Sequence, residues 1–569
     1  MQNYHRHTSY SNIYTADSAA VNEDYAKRAV ELGHKVISSV EHGWQGYYFE
    51  TYELAHKYNL KMVFGAEAYW VYDRHTKDKS NHHIIILAKT ERGRQSINDI
   101  LSEANISGYY YKPRVDLELL LSLPPNDVFI TSACIAFHSK NDGLTGDDNI
   151  DNSIIKYYGE NLNNLMDENI ISILHDHFKE NFMLEIQYHD TEEQKKWNRF
   201  LLRMSEKYGI DLIVGLDSHY IYEEDSQERD YVLAAKNIHY EDEDGWYMDY
   251  PDDETVMNRF LKQGVFTKEQ VQKAMDNTDI CLSFDDYDDV HIFSKDIKLP
   301  TLYPNLTKEE KDKKYSRLIT SKFKEYMKNV PKERYDEYFE GVKKEVNTYK
   351  DTGMTDYPLI DYAIVNDAVE HGGLITDTGR GSAVGYFTNT LCGFSKVDRF
   401  TSAIKLYPER FISKTRILKT HSLPDIDLNV GTPDIFEQAQ INVLGEDHVA
   451  PMIAFGTFKK KSSFKLYARA QKLDFDIANT ISEQIGKYEE AMKYADDDEK
   501  DEIDLYDYVD KKYESYINAS EKYWGIISDK KKAPSAYLLY QGNIRKEIGL
   551  IKCKSESTKK EYITCVIDG

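Results

Sequence analysis

Short apolar segments alternate with amphipathic helical segments along residues 1–225, and this alternation restricts the fold more than any other feature. The apolar segments have the length and composition of buried strands. Between two of them Tyr25, Ala29 and Leu32 recur at helical spacing, and Gly33 follows as a helix C-cap. The pattern predicts an α/β barrel or a doubly wound sheet. The six predicted strands are residues 35–40, 61–64, 83–88, 128–131, 182–186 and 211–216.

Side chains of the kinds that bind transition metals lie near the ends of these predicted strands. Active sites of βα barrels gather at the carboxyl ends of strands, and most of the candidates obey that rule, although His83 precedes its strand. A single buried histidine is more often a satisfied core residue, but a whole set at successive strand ends predicts a metal site. Mixed ligands of this kind favour zinc, manganese or iron over calcium. The candidates are His5, His7, Asp17, His42, Glu67, His83, Cys134, Asp217 and His219.

A pair of carboxylates, Asp425 and Asp427, forms a second candidate site, called here the Asp pair. In a predicted strand, side chains at positions i and i+2 point to the same face, and a shared metal ion would keep both carboxylates ionised. Taken alone, the tetrapeptide Pro-Asp-Ile-Asp at 424–427 is more typical of an exposed turn.

Upstream of the Asp pair, residues 379–385 read Gly-Arg-Gly-Ser-Ala-Val-Gly and are called here the glycine loop. Glycines would let backbone N–H groups approach a triphosphate, with side chains supplying further donors. A glycine-rich turn at the start of a helix is the alternative interpretation. The predicted nucleotide-binding residues are Gly379, Arg380, Gly381, Ser382 and Arg410.

The net charge of −25 is unusual for a protein that binds nucleic acid, because phosphate contacts are made by lysine and arginine. Local charge matters more than the total. Residues 449–473 hold six basic residues and no acidic one, so this segment could follow a phosphate backbone; a basic surface helix without a ligand is the alternative. The predicted DNA-binding residues are Lys459, Lys460, Lys461, Lys465 and Arg469.

The length of 569 residues predicts several domains. We find no apolar run long enough to cross a bilayer and no signal peptide at the start of the chain. The five scattered cysteines argue against a disulfide framework and for a reducing cytoplasm.

Three segments in this order and spacing resemble the palm and thumb of bacterial C-family replicative polymerases, the DNA polymerase III alpha subunits. They are the glycine loop, the Asp pair and the Phe-Gly-Thr-Phe-Lys-Lys-Lys of residues 455–461. The resemblance extends to residues 356–362 and 406–411. The N-terminal ligand pattern resembles the PHP (polymerase and histidinol phosphatase) domain that begins the same polymerases.

The resemblance implies an α/β multidomain fold. A PHP domain, which is a distorted βα-barrel, precedes an α+β palm like that of polymerase beta and a helical thumb. The implied divisions are a PHP phosphoesterase domain at 1–225, a connecting helical and loop region at 226–300, the palm at 301–432, a thumb-like helical region at 433–530 and a return to the palm at 531–569.

The resemblance also implies a DNA-directed DNA polymerase that adds deoxynucleotides to a primer 3′ end on primer-template DNA. Two-metal phosphoryl transfer would use Mg²⁺ held by Asp425 and Asp427. Because all nine PHP positions hold metal-competent residues, we expect that domain to be an active 3′–5′ exonuclease with Zn²⁺, Mn²⁺ or Fe²⁺. The alternatives are a PHP exonuclease whose polymerase portion only binds DNA, and a DNA-binding scaffold without activity.

Two departures from the family pattern determine which partner protein we expect. Asn429 stands where many relatives carry another aspartate, and no third catalytic aspartate in a Met-Asp-Phe-Leu-Gly-like segment is recognisable before Gly569. We therefore expect a second polypeptide that carries the third aspartate and the fingers. The composition hints at a bacterial virus, which would place the protein in the cytoplasm of the host cell and not in a membrane.

Overall fold

The computed structural model describes residues 1–137, 166–238, 245–420, 422–496 and 500–569. The chain forms two compact units. The first contains Met1–Phe293, Met452–Ala536 and Arg545–Gly569, and the second contains Ser294–Pro451 and Tyr537–Ile544. The five divisions expected from the sequence remain predictions, and residues 239–244 of the expected connecting region lie outside the described residues.

The N-terminal part of the first unit is built around a seven-stranded mixed sheet with the order β1-β2-β3-β5-β6-β7, in which β4 pairs with β2. All six predicted strands are present. β3 is antiparallel to both β2 and β5, whereas β1–β2, β5–β6 and β6–β7 are parallel. The mixed sheet fits the predicted distorted barrel. The strands are β1 (Val36–Ser39), β2 (Lys61–Trp70), β3 (His82–Ala88), β4 (Arg114–Val115), β5 (Val128–Thr131), β6 (Phe182–Ile186) and β7 (Leu212–Val214).

Helices lie between these strands and after the last one, and each has an apolar face that needs burial. The first ends at Gly33, whose φ of 71° is the left-handed conformation expected of a C-cap. Thr90 and Thr191 accept backbone hydrogen bonds at the start of two others. The helices are α1 (Asn22–Leu32), α2 (Tyr48–Tyr58), α3 (Glu91–Ile106), α4 (Leu117–Ser122), α5 (Met166–Phe178), α6 (Glu192–Tyr208), α7 (Ser226–Ala235), α8 (Asp253–Gln263) and α9 (Lys268–Asn277).

The second unit is mainly helical, and its core holds many aromatic side chains such as Tyr315, Tyr338 and Phe387. A buried carboxylate, Glu345, accepts hydrogen bonds from the backbone N–H groups of Phe387 and Thr388 and lies 2.8 Å from Arg399. The helices are α10 (Lys308–Tyr326), α11 (Tyr335–Thr352), α12 (Asp356–Glu370), α13 (Phe387–Leu391), α14 (Pro408–Phe411), α15 (Lys414–Thr420) and α16 (Pro433–Leu444).

The C-terminal segments of the first unit carry a second sheet, with the order β10-β11-β8-β9. They join the N-terminal part through specific contacts: Tyr48 Oη donates to Ile548 O at 2.9 Å, and Arg94 Nη1 donates to Glu547 O at 2.6 Å. The elements are β8 (Val449–Thr457), α17 (Lys460–Ala470), α18 (Phe475–Tyr494), α19 (Glu514–Ser520), β9 (Ile527–Leu539), α20 (Ile544–Glu547), β10 (Leu550–Lys554) and β11 (Glu561–Asp568).

All five cysteines are buried and free, as the sequence predicts. Among the described residues, none of the helices is both long and apolar enough to pass through a bilayer.

Candidate metal centre and candidate phosphoryl-transfer site

The structure brings all nine predicted metal ligands together in the first unit. Seven of them form three overlapping groups whose ligand atoms lie within 4.8 Å of one another. Asp17 joins through His42 and His219, and Cys134 Sγ lies 3.4 Å from His83 Nδ1. The three groups are His7, His42 and His219; His5, His7, Glu67 and Asp217; and His42, Glu67 and His83. Because the groups share members, the cluster offers several adjoining places for an ion.

Glu67 stands at the middle of the cluster and is fully buried. Its Oε2 lies 2.5 Å from His42 Nδ1 and 3.3 Å from His7 Nε2. Its Oε1 lies 2.9 Å from His83 Nδ1 and 3.4 Å from His5 Nε2. One carboxylate therefore touches four imidazoles, as a bridging ligand would.

Two aspartates close the cluster. Asp17 Oδ2 lies 2.7 Å from His42 Nε2 and 2.8 Å from His219 Nε2. Asp217 Oδ1 lies 3.1 Å from His5 Nε2 and 3.3 Å from His7 Nε2. Asp217 has a φ of 45°, an uncommon conformation for a residue with a side chain, and such strain often marks a functional site.

Several buried atoms of the cluster lie close to one another, but within the part of the chain that the structure describes they form no hydrogen bond of good geometry. A buried polar atom without a partner is costly, so a group of them that faces one point requires an explanation. Bound cations would satisfy them, and the mixed nitrogen, oxygen and sulfur donors suit zinc, manganese or iron. The residues present therefore fit a transition-metal centre. The unsatisfied atoms are His5 Nε2, His7 Nε2, His42 Nδ1, Glu67 Oε2 and Asp217 Oδ1.

Charge within the cluster shifts the pKa of its members strongly. Burial opposes ionisation of Glu67, but His83, His42 and His7 outweigh burial and hold its pKa well below the usual range. Burial likewise lowers the pKa of His42, yet Glu67 and Asp17 raise it to about 10. A bound cation would take the place of the protons that balance these carboxylates in the metal-free protein.

The structure corrects the expected positions of His83 and Glu67: His83 is the second residue of β3 (His82–Ala88) and does not precede it. Because β3 runs antiparallel to β2, with Tyr69 opposite His83, the start of β3 lies at the edge where β2 ends. Glu67 lies within β2 and does not follow it, since that strand continues to Trp70. His5 and His7 flank a single bridge between Arg6 and Ser218 and do not lie in a strand.

A ring of supporting residues was not predicted from the sequence. His5 Nδ1 lies 2.6 Å from Glu185 Oε1, and Tyr4 Oη donates to Glu185 Oε2 at 2.9 Å. His7 Nδ1 lies 3.0 Å from Ser11 Oγ, which donates to Glu41 Oε2. Such partners fix the orientation of imidazole ligands. The available signal was Glu185 itself, an acidic residue inside the apolar strand β6.

The Asp pair lies in the second unit, in a segment that forms no strand. The expected strand is absent because only Val430 bridges to a neighbour, Ile375. The alternation that the sequence predicts is nevertheless present: Asp425 and Asp427 are exposed, and Ile426 between them packs against the apolar core. Both carboxylates therefore lie on the solvent side of the segment.

The glycine loop adjoins the Asp pair. Gly381 has a φ of 64°, which favours glycine, and a Cβ at this position would lie 2.1 Å from Asp427 Oδ2, so a side chain here would displace that carboxylate. Arg380 Nε lies 3.9 Å from Asp427 Oδ1. Asn429 donates to Thr378 Oγ1, which ties the two segments together. Carboxylates and exposed backbone N–H groups thus share one surface.

The other predicted nucleotide-binding residues belong to the same region of the second unit. Gly379 and Arg380 are exposed, and Ser382 begins the 3-10 turn Ser382–Gly385. A Cβ on Gly385 would lie 3.1 Å from Tyr407 O, just before α14. Arg410 lies in α14 and is exposed.

The predicted DNA-binding residues belong to the first unit, where α17 forms the basic helix expected there. Lys461, Lys465 and Arg469 are exposed and recur at a spacing of four, so they line one face of α17. Lys459, directly before the helix, is also exposed. Lys460 is half-buried, with its Nζ 4.9 Å from the centre of the Trp524 ring.

Comparison with known proteins gives matches for both parts of the chain. Residues 3–189 match the PHP domain, and residues 310–565 match the bacterial DNA polymerase III alpha NTPase domain. The DNA polymerase III subunit alpha of Aquifex aeolicus is 27% identical over 508 residues, which cover 84% of this chain and 40% of the relative. That of Chlamydia trachomatis is 26% identical over 534 residues, covering 84% and 41%.

The subunit alpha of Helicobacter pylori is 24% identical over 503 residues, covering 85% of this chain and 40% of the relative. The chain thus spans about two fifths of the length of these relatives. Because relatives of one kind align along most of this chain, it is a DNA polymerase III alpha-like protein that carries an N-terminal PHP domain.

Proposed function

We propose that this chain supplies the PHP and palm portions of a DNA-directed DNA polymerase that extends a primer 3′ end. The observation that carries the proposal is the contact between Gly381 of the glycine loop and Asp427 of the Asp pair. The contact joins a surface of backbone donors for phosphate to carboxylates for Mg²⁺. The name and order of the matched regions support the same activity.

Each residue of the palm has a separate task in this proposal. Asp425 and Asp427 would hold two Mg²⁺ ions, which supply activation of the primer hydroxyl and neutralisation of the triphosphate. The N–H groups of the glycine loop and the Ser382 hydroxyl hold the nucleotide phosphates. Arg380 and Arg410 add positive charge beside them. The basic face of α17 binds the backbone of the primer-template.

A nuclease activity of the PHP metal centre is the second part of the proposal. The ligands would hold Zn²⁺, Mn²⁺ or Fe²⁺, which supply Lewis-acid activation of a phosphodiester and of water. Glu185 and Ser11 orient the imidazoles of His5 and His7. Hydrolysis there would remove nucleotides from a DNA 3′ end. The completeness of the nine-residue cluster also favours a second candidate function, a PHP exonuclease whose palm only binds DNA.

A primer-extension assay separates the two candidate functions. The purified chain is incubated with a 5′-labelled primer-template, Mg²⁺ and Mn²⁺, with and without deoxynucleotides. We expect primer shortening by the chain alone and extension once a second polypeptide with the third aspartate is added, and we expect Asp425→Asn and Asp427→Asn to reduce that extension to background while leaving primer shortening unchanged. Shortening without extension, both with and without that polypeptide, would favour the second candidate. A second polypeptide with a further carboxylate stays a prediction, tested by adding candidate partners to this assay.

Metal content tests the PHP centre without reference to activity. We expect His7→Ala and Asp217→Ala to lower bound transition metal, measured by elemental mass spectrometry on the purified chain. His56→Ala is the matched control, because His56 is half exposed and lies outside the cluster. Unchanged metal content in both cluster variants, with retained circular dichroism, would contradict the ligand assignment.

A further inference from the structure

A cavity of about 690 Å³ opens in the second unit between α10 and α12. Its volume lies within the ~300–1,000 Å³ typical of small-molecule sites. Leu359, Ala363 and Val443 supply an apolar floor. Leu359, Tyr362, Ala363 and Asn366 follow one another at helical spacing, so one face of α12 forms a wall of the cavity. None of these residues belongs to the glycine loop or the Asp pair.

Two tyrosines face the cavity, Tyr303 from the segment before α10 and Tyr362 from α12. Both side chains are half-buried. Cations lie near both rings: Lys314 Nζ is 4.4 Å from the centre of the Tyr303 ring, and Lys322 Nζ is 5.5 Å from that of Tyr362. Aromatic faces of this kind are platforms on which a nucleobase stacks, at about 1–3 kcal/mol per base.

Lys314 and Arg317 line the cavity from α10, and both are exposed. Neither of them has a carboxylate partner among the described residues, whereas Lys308 and Lys311 of the same helix pair with Asp312 and Asp356. A cation without an internal partner keeps its charge available to an anion. Arginine and lysine are the side chains that bind phosphate, arginine by two parallel hydrogen bonds.

Two carboxylates, Asp367 and Glu370, line the cavity near the C-terminal end of α12, about 12 and 16 Å along the helix axis from Leu359. Glu370 accepts from Asn366 at 2.7 Å, and Asp367 accepts from Asn442 at 3.0 Å. Each carboxylate has capacity for further donors. Hydroxyl groups of a sugar and exocyclic amino groups of a base are donors of the matching kind.

We propose that this cavity is a nucleotide-binding site separate from the palm site. The base stacks on Tyr362 or Tyr303, the phosphate pairs with Arg317 and Lys314, and the carboxylate end accepts hydrogen bonds from the sugar or the base. A nucleotide presents a flat aromatic base, an anionic phosphate and hydrogen-bond donors, which match the tyrosines, the unpaired cations and the carboxylates of this cavity. The nucleotide is either free in solution or the terminal residue of a single DNA strand, since both present the same groups.

Equilibrium dialysis of the full chain against radiolabelled dAMP in EDTA tests the proposal, because binding here needs no metal. We expect one nucleotide per chain, and the same for the double variant Asp425→Asn/Asp427→Asn. Arg317→Glu and Tyr362→Ala should each weaken binding at least tenfold, while Tyr362→Phe should retain it. Lys313→Glu is the matched control, since Lys313 is exposed on the same helix and does not line the cavity.

The outcomes distinguish this site from the palm and identify the source of the nucleotide. Loss of dAMP binding in the double variant would assign the binding to the palm and overturn the proposal. Absence of binding to the parent chain, or binding that neither Arg317→Glu nor Tyr362→Ala changes, would also overturn it. Displacement of dAMP by (dA)₁₂ supports a strand end as the ligand, and retention of dAMP in its presence supports the free nucleotide.

Discussion

A buried carboxyl group in α12 makes the stability of the second unit depend on pH. Asp361 Oδ2 is buried and has no hydrogen-bond partner among the described residues. Burial raises the pKa of Asp361 from 3.8 to about 7. Burial, and after it the Asp361 carboxylate, raise the pKa of the neighbouring Tyr357.

The size and sign of the effect follow from the pKa. A shift of about three units at ~1.4 kcal/mol per unit corresponds to about 4 kcal/mol. Because the folded-state pKa is raised, the folded protein holds the proton more tightly than the unfolded chain does. Ionisation of Asp361 therefore does not change the free energy of unfolding below pH 3.8. It lowers that free energy progressively as the pH rises from about 4 to about 7, and by the full amount of about 4 kcal/mol above pH 7.

Replacing Asp361 with asparagine removes the ionisation and keeps the shape. We expect Asp361→Asn to match the parent chain near pH 4.5 within about 1 kcal/mol and to exceed it by up to about 4 kcal/mol at pH 8. Native-state hydrogen exchange of the α12 amides in EDTA measures the local opening free energy without assuming that both units unfold together.

Asp336→Asn is the control, because Asp336 is exposed in the first turn of α11. In this variant the local opening free energy should change by a few tenths of a kcal/mol, with no step near pH 7. An Asp361→Asn difference that is the same at pH 4.5 and pH 8 would refute the argument, since only a buried, titrating carboxyl group predicts a difference that grows with pH.

Two further substitutions test other buried charges. Glu345→Gln should destabilise the second unit by about 3–5 kcal/mol in hydrogen exchange, because it leaves Arg399 without its buried partner; a loss below 1 kcal/mol would contradict this role. Lys530→Met should stabilise the first unit, because burial lowers the pKa of Lys530 to about 7 and its Nζ has no hydrogen-bond partner among the described residues. The gain should reach about 4 kcal/mol at pH 7 and shrink towards pH 10, because the folded chain has lost the proton there and the unfolded chain begins to lose it; thermal unfolding at the two pH values measures the difference.

Local pattern determined much of the N-terminal part. Six predicted strands are present, and the nine candidate ligands converge, because parallel strands bring their carboxyl ends to one edge. The same rule could not place His83, since periodicity does not reveal whether a strand runs parallel or antiparallel. Only the pairing of β3 with β2 explains its position.

Only the tertiary structure identified the residues that support the metal ligands and the chain segments that make up each unit. Glu185 reaches His5 across 180 positions in the sequence, and Arg229 reaches Asp17 across 212. The C-terminal sheet belongs to the same unit as the N-terminal barrel, through contacts such as Tyr48 with Ile548. Helical and strand periodicity reports which face of an element is buried but not which distant segment covers it.

The segment that holds the Asp pair, residues 424–427, shows both what the sequence determined and what only the tertiary structure decided. The sequence alone determined that Asp425 and Asp427 share a face, because alternation of polar and apolar residues persists in any extended backbone. Tertiary structure decided that the segment is no strand and that Asp427 lies against Gly381. That contact depends on a positive φ at one glycine and on chain packing between segments more than forty residues apart, neither of which a local pattern encodes.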